Sequence, residues 1–284
     1  MRPHSIEVVL VEHVLAHVAV ASYAGGELVE AVVSPSKATD TKAAAIVARR
    51  EAMVMAIGKE RSMSMLSEKD AKLVRERLAN LAGPVTLVMF TQEFECEYCR
   101  QTRELAGEIA GLSSGKVRVE VYDLLRDKAK ADNLGIDKIP AIAVVGAADK
   151  DYGIRFYGIP AGYEFASLME AVEMVAKGQS GLSPATKEKL RSLTAPLELQ
   201  VFVTPTCPYC PRAVLTAFRF AMESENVRAS MVEATEFPQL ANRHHVSGVP
   251  HTVIGDSLQP MVGAYPEAAA ADFVVAANLG MKEM

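Results

Sequence analysis

Cysteine is scarce in this 284-residue chain: there are four, and none stands alone. A disulfide framework for stability needs more cysteines packed into a smaller chain, so cross-linking is not what these four supply. Positive charge is not concentrated either. Thirty Lys and Arg stand against 35 Asp and Glu, a formal net charge of −5, and there is no long basic run that could neutralise a row of phosphates. Nucleic acid is not an expected partner. The most apolar N-terminal stretch, residues 8–21, is broken by Glu12, His13 and His17, is too short to span a bilayer, and lacks a basic start followed by a small-residue cleavage site. A cytoplasmic protein that does not engage a membrane is expected. Gly25-Gly26, Gly111 and Gly115 do not form a phosphate-binding loop of the required spacing, so nucleotide binding has no support.

What is there is ordered. With 50% hydrophobic and 23% charged residues the composition is that of globular domains, and the length suggests about two of them. All four cysteines sit in two pairs, Cys96-Glu97-Tyr98-Cys99 and Cys207-Pro208-Tyr209-Cys210, and each pair is followed about forty residues on by an apolar-Pro step, Ile139-Pro140 and Val249-Pro250. Cys96 to Cys207 is a shift of 111 positions and Pro140 to Pro250 a shift of 110, so the chain carries a duplication. In a reducing compartment, cysteines found only as close pairs point to catalytic thiols or metal ligands.

The hydrophobic pattern has the same order in both copies. The first reads helix 68–81, strand 85–91, cysteine pair, helix 99–110, strand 116–122, short helix 126–134, strands 141–146 and 154–157, helix 165–176. The second reads helix 184–193, strand 197–204, cysteine pair, helix 212–223, strand 227–233, short helix 238–244, strands 251–254 and 261–264, helix 266–278. This is an α/β chain of two tandem thioredoxin-like units, each a mixed sheet flanked by helices. The boundaries expected are 65–178 and 179–284, with a hinge at Gly178-Gln179-Ser180-Gly181. Residues 1–64 form a small N-terminal extension, with a hairpin over 17–33 turning at Gly25-Gly26 and a helical stretch over 42–57. Met63 and Met65 could equally be starts, and the extension's role is not readable.

A cysteine between a strand end and a helix start meets unpaired N–H groups and the positive end of the helix dipole, which favour a thiolate. Cys96 and Cys207 are therefore expected to attack, and Cys99 and Cys210, one helical turn on and more buried, to resolve the mixed disulfide. A cis bond at Ile139-Pro140 and at Val249-Pro250 would hold a backbone edge beside the sulfurs, able to bind an extended substrate chain. Glu93, Glu95 and Glu97 crowd Cys96, whereas Cys207 has no carboxylate nearer in sequence than Glu198. At an effective dielectric of roughly 40 to 80 and about 8 Å, each exposed Glu costs a thiolate on the order of 0.5–1 kcal/mol. Cys207 is expected to hold the more stable thiolate and its pair to be the more oxidising. His251, next to Pro250, is a further tuning candidate if its imidazole is protonated near Cys207. Zinc is the competing use of two such pairs, but the usual spacing between pairs is about 15 to 20 residues, so no metal is expected. A zinc-bound structural protein remains the alternative of another class.

From about Met65 to Gly280 the chain resembles the tandem thioredoxin-fold protein disulfide oxidoreductases, the glutaredoxin-like proteins of thermophilic archaea and bacteria. The resemblance rests on the CEYC and CPYC pairs, on segments 135–141 and 246–250, and above all on Phe156-Tyr157-Gly158-Ile159-Pro160-Ala161-Gly162-Tyr163-Glu164-Phe165, which generic thioredoxins and glutaredoxins do not carry. It implies dithiol–disulfide exchange on protein substrates, with the CPYC unit the more active, no cofactor beyond the redox-active disulfides, and a thioredoxin-reductase-like flavoenzyme as reductant. An electron relay between such a flavoenzyme and a peroxidase is the alternative enzyme reading. Gly248 stands where glutaredoxins typically have Thr, which weakens the case for glutathione.

Overall fold

A computed structural model describes residues 19–24, 27–32, 64–92, 96–257 and 259–280 of the chain. Two compact units divide between Met63 and Ser64. In the first, β1 (Ala19–Ala24) and β2 (Glu27–Val32) pair antiparallel with Ala24 opposite Glu27, the hairpin expected around Gly25-Gly26. The helix expected over 42–57, like His13 and His17, lies outside the described residues.

The second unit carries α1 (Glu68–Ala79), β3 (Val85–Thr91), α2 (Cys99–Leu112), β4 (Val117–Asp123), α3 (Lys128–Leu134), β5 (Ala141–Val145), β6 (Asp151–Tyr157) and α4 (Glu164–Lys177). The order then recurs as α5 (Pro184–Arg191), β7 (Leu197–Val203), α6 (Cys210–Glu223), β8 (Val227–Glu233), α7 (Pro238–Arg243), β9 (His251–Ile254), β10 (Met261–Val262) and α8 (Glu267–Gly280). Local chemistry sets several ends. Ser67 caps α1 by accepting from the Asp70 N–H at 3.1 Å, and Ser183 caps α5 from the Thr186 N–H at 3.3 Å with Pro184 in the first turn. Gly135 closes α3 in the left-handed conformation (φ 62°). Among the described residues no helix is long and apolar enough to cross a membrane.

The two copies share one sheet. Its eight strands run in the order β4-β3-β5-β6-β8-β7-β9-β10, and the copies join where β6 of the first lies parallel to β8 of the second. Because β3 is antiparallel to β5 and β5 to β6, while β8 is parallel to both β6 and β7, strands β3 and β7 point the same way. Both cysteine pairs therefore leave the same end of one sheet. Four strand steps separate them, about 19 Å at a spacing of ~4.8 Å, with a cumulative twist of roughly 80–100°.

Alternate strand residues face opposite sides of the sheet. Leu87, Met89, Phe156, Val201 and Met231 face one side, in a core shared with α2, α4, α6 and α8. Val88, Phe90, Tyr157, Phe202 and Val232 face the other, under α3 and α7. The larger core runs through the joint: Phe156 of β6 meets Phe218 of α6 edge to face, with ring centroids 5.0 Å apart. At about 1.5–3 kcal/mol per large apolar side chain buried, this packing makes the copies one body. The segment expected as a hinge is pinned accordingly. Ser180 is buried and its hydroxyl donates to Glu223 at 2.5 Å, and Leu182 enters the core.

One buried charge sits near the same joint. Arg155 of β6 is fully buried and donates to both carboxylate oxygens of Asp151 (2.8 and 2.6 Å) and twice to the Leu134 carbonyl (2.9 and 2.6 Å). It thereby satisfies a carbonyl orphaned at the end of α3.

Candidate redox sites

In each copy a central, buried strand delivers the chain to a cysteine pair that opens a helix. In the second, the Cys207 N–H donates to the Thr204 carbonyl at 3.1 Å, forming the turn that leads into α6, and Pro211 occupies its first turn. In the first, the Thr102 N–H and hydroxyl both return to the Tyr98 carbonyl, at 2.9 and 2.8 Å. Each pair is joined as a disulfide, with Cα–Cα distances of 5.4 Å for Cys96–Cys99 and 5.5 Å for Cys207–Cys210. Access differs within each pair. Cys96 is half-buried against 4% exposure for Cys99, and Cys207 keeps 8% against 0% for Cys210. In both, the cysteine nearer the strand is the more exposed residue of its pair. Four sulfurs of one zinc centre must converge to within a few Å of each other, since Zn–S is about 2.3 Å, and pairs four strands apart do not.

Both apolar-Pro steps are cis. Ala141 pairs with Phe90 and His251 with Phe202, which sets Pro140 and Pro250 beside the strand ends that lead to the sulfurs. Ile139 and Pro140 line a cleft of about 330 Å³ together with Cys96, Glu97 and Tyr98. Val249 packs against both cores. Glu97 is exposed beside Cys96, while Glu93 and Glu95 lie outside the described residues. His251 is 4% exposed and packs edge-on to Phe202. Burial, and then His244, hold its pKa below the ordinary value, so near neutral pH it brings no positive charge.

Folding also places two carboxyls to which the sequence alone assigns no role. Glu164, at the start of α4, is 1% exposed, and neither carboxyl oxygen has a hydrogen-bond partner among the described residues. Burial pushes it up to about 7. Glu236, between β8 and α7, is raised to about 7 by burial, opposed by the Ile159 N–H and reinforced by Glu233 and Glu97. Both belong to the joint between the copies. Tyr163, the residue before Glu164, donates its N–H to the Pro205 carbonyl, two residues before Cys207. Glu236 of the second copy likewise accepts from the first copy's Ile159 N–H at 2.7 Å. The segment 156–165, distinctive in the sequence, is thus where each copy reaches the other.

Comparison with known proteins agrees with this geometry. A family model described as a thioredoxin domain matches residues 197–274. The chain is similar to a protein disulfide oxidoreductase from Aeropyrum pernix K1, with 32% identity, 75% of this chain and 94% of that one covered, and a TM-score of 0.69. It is also similar to the NTD_N/C domain of alkylhydroperoxide reductase AhpF from Enterococcus faecalis, with 28% identity, 74% and 99% coverage, and a TM-score of 0.68. Among curated sequences it is 27% identical over 148 residues to the alkyl hydroperoxide reductase AhpF of Pseudomonas putida. That match takes in 50% of this chain and 28% of the relative, so the chain spans about a quarter of the length of the curated relatives it matches.

Proposed function

The chain belongs to the thioredoxin-fold protein disulfide oxidoreductases and is a thiol–disulfide oxidoreductase, and from that premise we propose that it exchanges disulfides with protein substrates at two sites. Cys96 and Cys207 attack, and Cys99 and Cys210 resolve. The observation that carries the reading is the repeated geometry: a disulfide at a helix start, its first cysteine the more exposed residue, next to a cis apolar-Pro step. In the reducing direction, the thiolate of Cys96 or Cys207 opens a substrate disulfide and forms a mixed disulfide. The buried partner then attacks that bond, releasing the substrate as dithiol and closing the enzyme disulfide. Two electrons move per cycle and the cysteines carry both, so no metal or organic group is needed for the exchange. Residues 65–178 and 179–284 serve as the two catalytic units, with Ile139-Pro140 and Val249-Pro250 lining the substrate.

The cycle needs a reductant, and a flavoenzyme of the thioredoxin-reductase type in a reducing cytoplasm fits that need. The likeness to the AhpF domain supports a second reading, in which the chain relays electrons between such a flavoenzyme and a peroxidase. With about 19 Å between the pairs, direct exchange from one pair to the other within a chain is out of reach, so in a relay the same pair would be reduced by the flavoenzyme and then pass its electrons to the peroxidase.

Dithiothreitol-driven reduction of insulin separates these readings. The wild type accelerates it, and Cys207→Ser loses more of the acceleration than Cys96→Ser. No acceleration by the wild type removes the exchange reading in favour of the relay.

A further inference from the structure

The cleft over the first redox pair is built by both copies. Cys96, Glu97, Tyr98, Ile139 and Pro140 form one wall, and Thr235, Glu236, Pro238 and Gln239 of the second copy form the other. The Glu236 carboxyl is held there by the backbone. Its Oε1 accepts from the Ile159 N–H at 2.7 Å, while Oε2 is buried with no hydrogen-bond partner among the described residues. Gly158 leaves the room: a Cβ on it would lie 2.7 Å from the Glu233 Cβ and 3.0 Å from the Glu236 carboxyl carbon, and its φ of +89° excludes most other residues.

We propose that Glu236, supplied by the second copy, is the general acid of the first redox pair. The inference rests on the exchange reading above. When the Cys96 thiolate attacks a substrate disulfide, the Cys96–substrate S–S bond forms, the substrate S–S bond breaks, and its electron pair stays on the leaving sulfur. Glu236 gives that sulfur its proton, leaving a carboxylate that water at the open cleft mouth reprotonates. In the oxidising direction the carboxylate takes the proton from the entering substrate thiol. The groups that face Glu236 are Cys96, Glu97 and Tyr98 from the first copy and Glu233 from its own, and the carboxylates among them work with burial to keep a proton on it near pH 7. An acid with a pKa near the working pH is suited to the task.

The test uses the full chain with the second pair silenced by Cys207→Ser and Cys210→Ser. Single-turnover rates are measured on two disulfides. One releases a nitrobenzoate thiolate, which needs no proton, and the other releases an alkyl thiol, which does. Glu236→Gln keeps the acceptor for Ile159 and is expected to slow the alkyl substrate by about a hundredfold, at the low end of acid–base catalysis, with the aromatic one within about twofold. Equal slowing of both, or slowing of neither, overturns the proposal. With Glu236 in place, the alkyl-to-aromatic rate ratio is expected to fall as pH rises through 7, and a flat ratio overturns the proposal without any variant. If the first pair is inactive on both substrates, the exchange reading for that pair fails with it.

Discussion

The main-chain N–H of Tyr163 donates to the carbonyl of Pro205 at 3.0 Å, tying the start of α4 in the first copy to the loop that carries Cys207 in the second. Gly162 makes the approach possible, since a Cβ there would lie 2.2 Å from the Pro205 oxygen and its φ is +59°. Gly162→Ala is expected to cost at least about 2 kcal/mol, combining left-handed strain with the clash. It should also impair the second redox pair more than the first. Denaturant midpoints and rates in single-pair backgrounds check both; wild-type stability in the variant would contradict them.

Glu164 makes stability depend on pH. Its folded value is raised from 4.5 to about 7, so the folded state binds the proton more tightly than the unfolded chain. Stability from this group is full below pH 4.5, falls as pH rises through about 7, and is flat above, a change of about 3 kcal/mol. The stability of wild type minus that of Glu164→Gln should decline by that amount between pH 4.5 and 8. A difference that does not vary with pH would show that Glu164 titrates normally.

Asp151→Ala removes the partly exposed carboxylate and leaves the buried Arg155 guanidinium without its counter-ion, held only by the Leu134 and Ile154 carbonyls. A loss of about 3 kcal/mol is expected. Because much of it is the penalty of the orphaned guanidinium, Arg155→Met added to Asp151→Ala should recover part of it. Urea unfolding of the two variants decides this: a double variant less stable than Asp151→Ala would be the contrary result.

In the reduced protein, iodoacetamide should label Cys96 and Cys207 about tenfold or more faster than Cys99 and Cys210, following thiolate character and access. Peptide mass spectrometry over a time course reads the order. Faster labelling of either buried cysteine would reverse the assignment of attacking and resolving sulfurs.

Much of this was legible in the sequence because it is local. Strands β3, β8 and β9 fall on the residues where apolar runs and flanking turn residues place them, and the two Cys-x-x-Cys pairs narrow their chemistry by spacing to thiol–disulfide exchange or metal binding. The start of β6 was not legible, because Asp151 and Gly153 are poor strand formers held in register by neighbouring strands. Nor was the pinned linker, where Ser180 and Gly181 have turn composition but Ser180 is bonded to Glu223, 43 residues away. The largest omission concerns the carboxyls. Sequence proximity put Glu93, Glu95 and Glu97 at the first pair and none at the second, whereas folding brings Glu236 to Ile159 across 77 residues and buries Glu164 beside Tyr163, which binds Pro205. No local pattern encodes such contacts. The segment 156–165 did stand out, and it lies in the joint between the copies, where Ile159 and Tyr163 bond to Glu236 and Pro205.

The most direct measurement is to trap the exchange intermediate. Full-length Cys99→Ser and Cys210→Ser variants, each able to attack but not to resolve at one pair, are reduced, freed of reductant and mixed with a disulfide-containing protein. A dithiothreitol-reversible covalent adduct mapped by mass spectrometry to Cys96 in the first variant and Cys207 in the second is the predicted result. Folded variants with free thiols and no adduct at either position would contradict thiol–disulfide exchange on proteins.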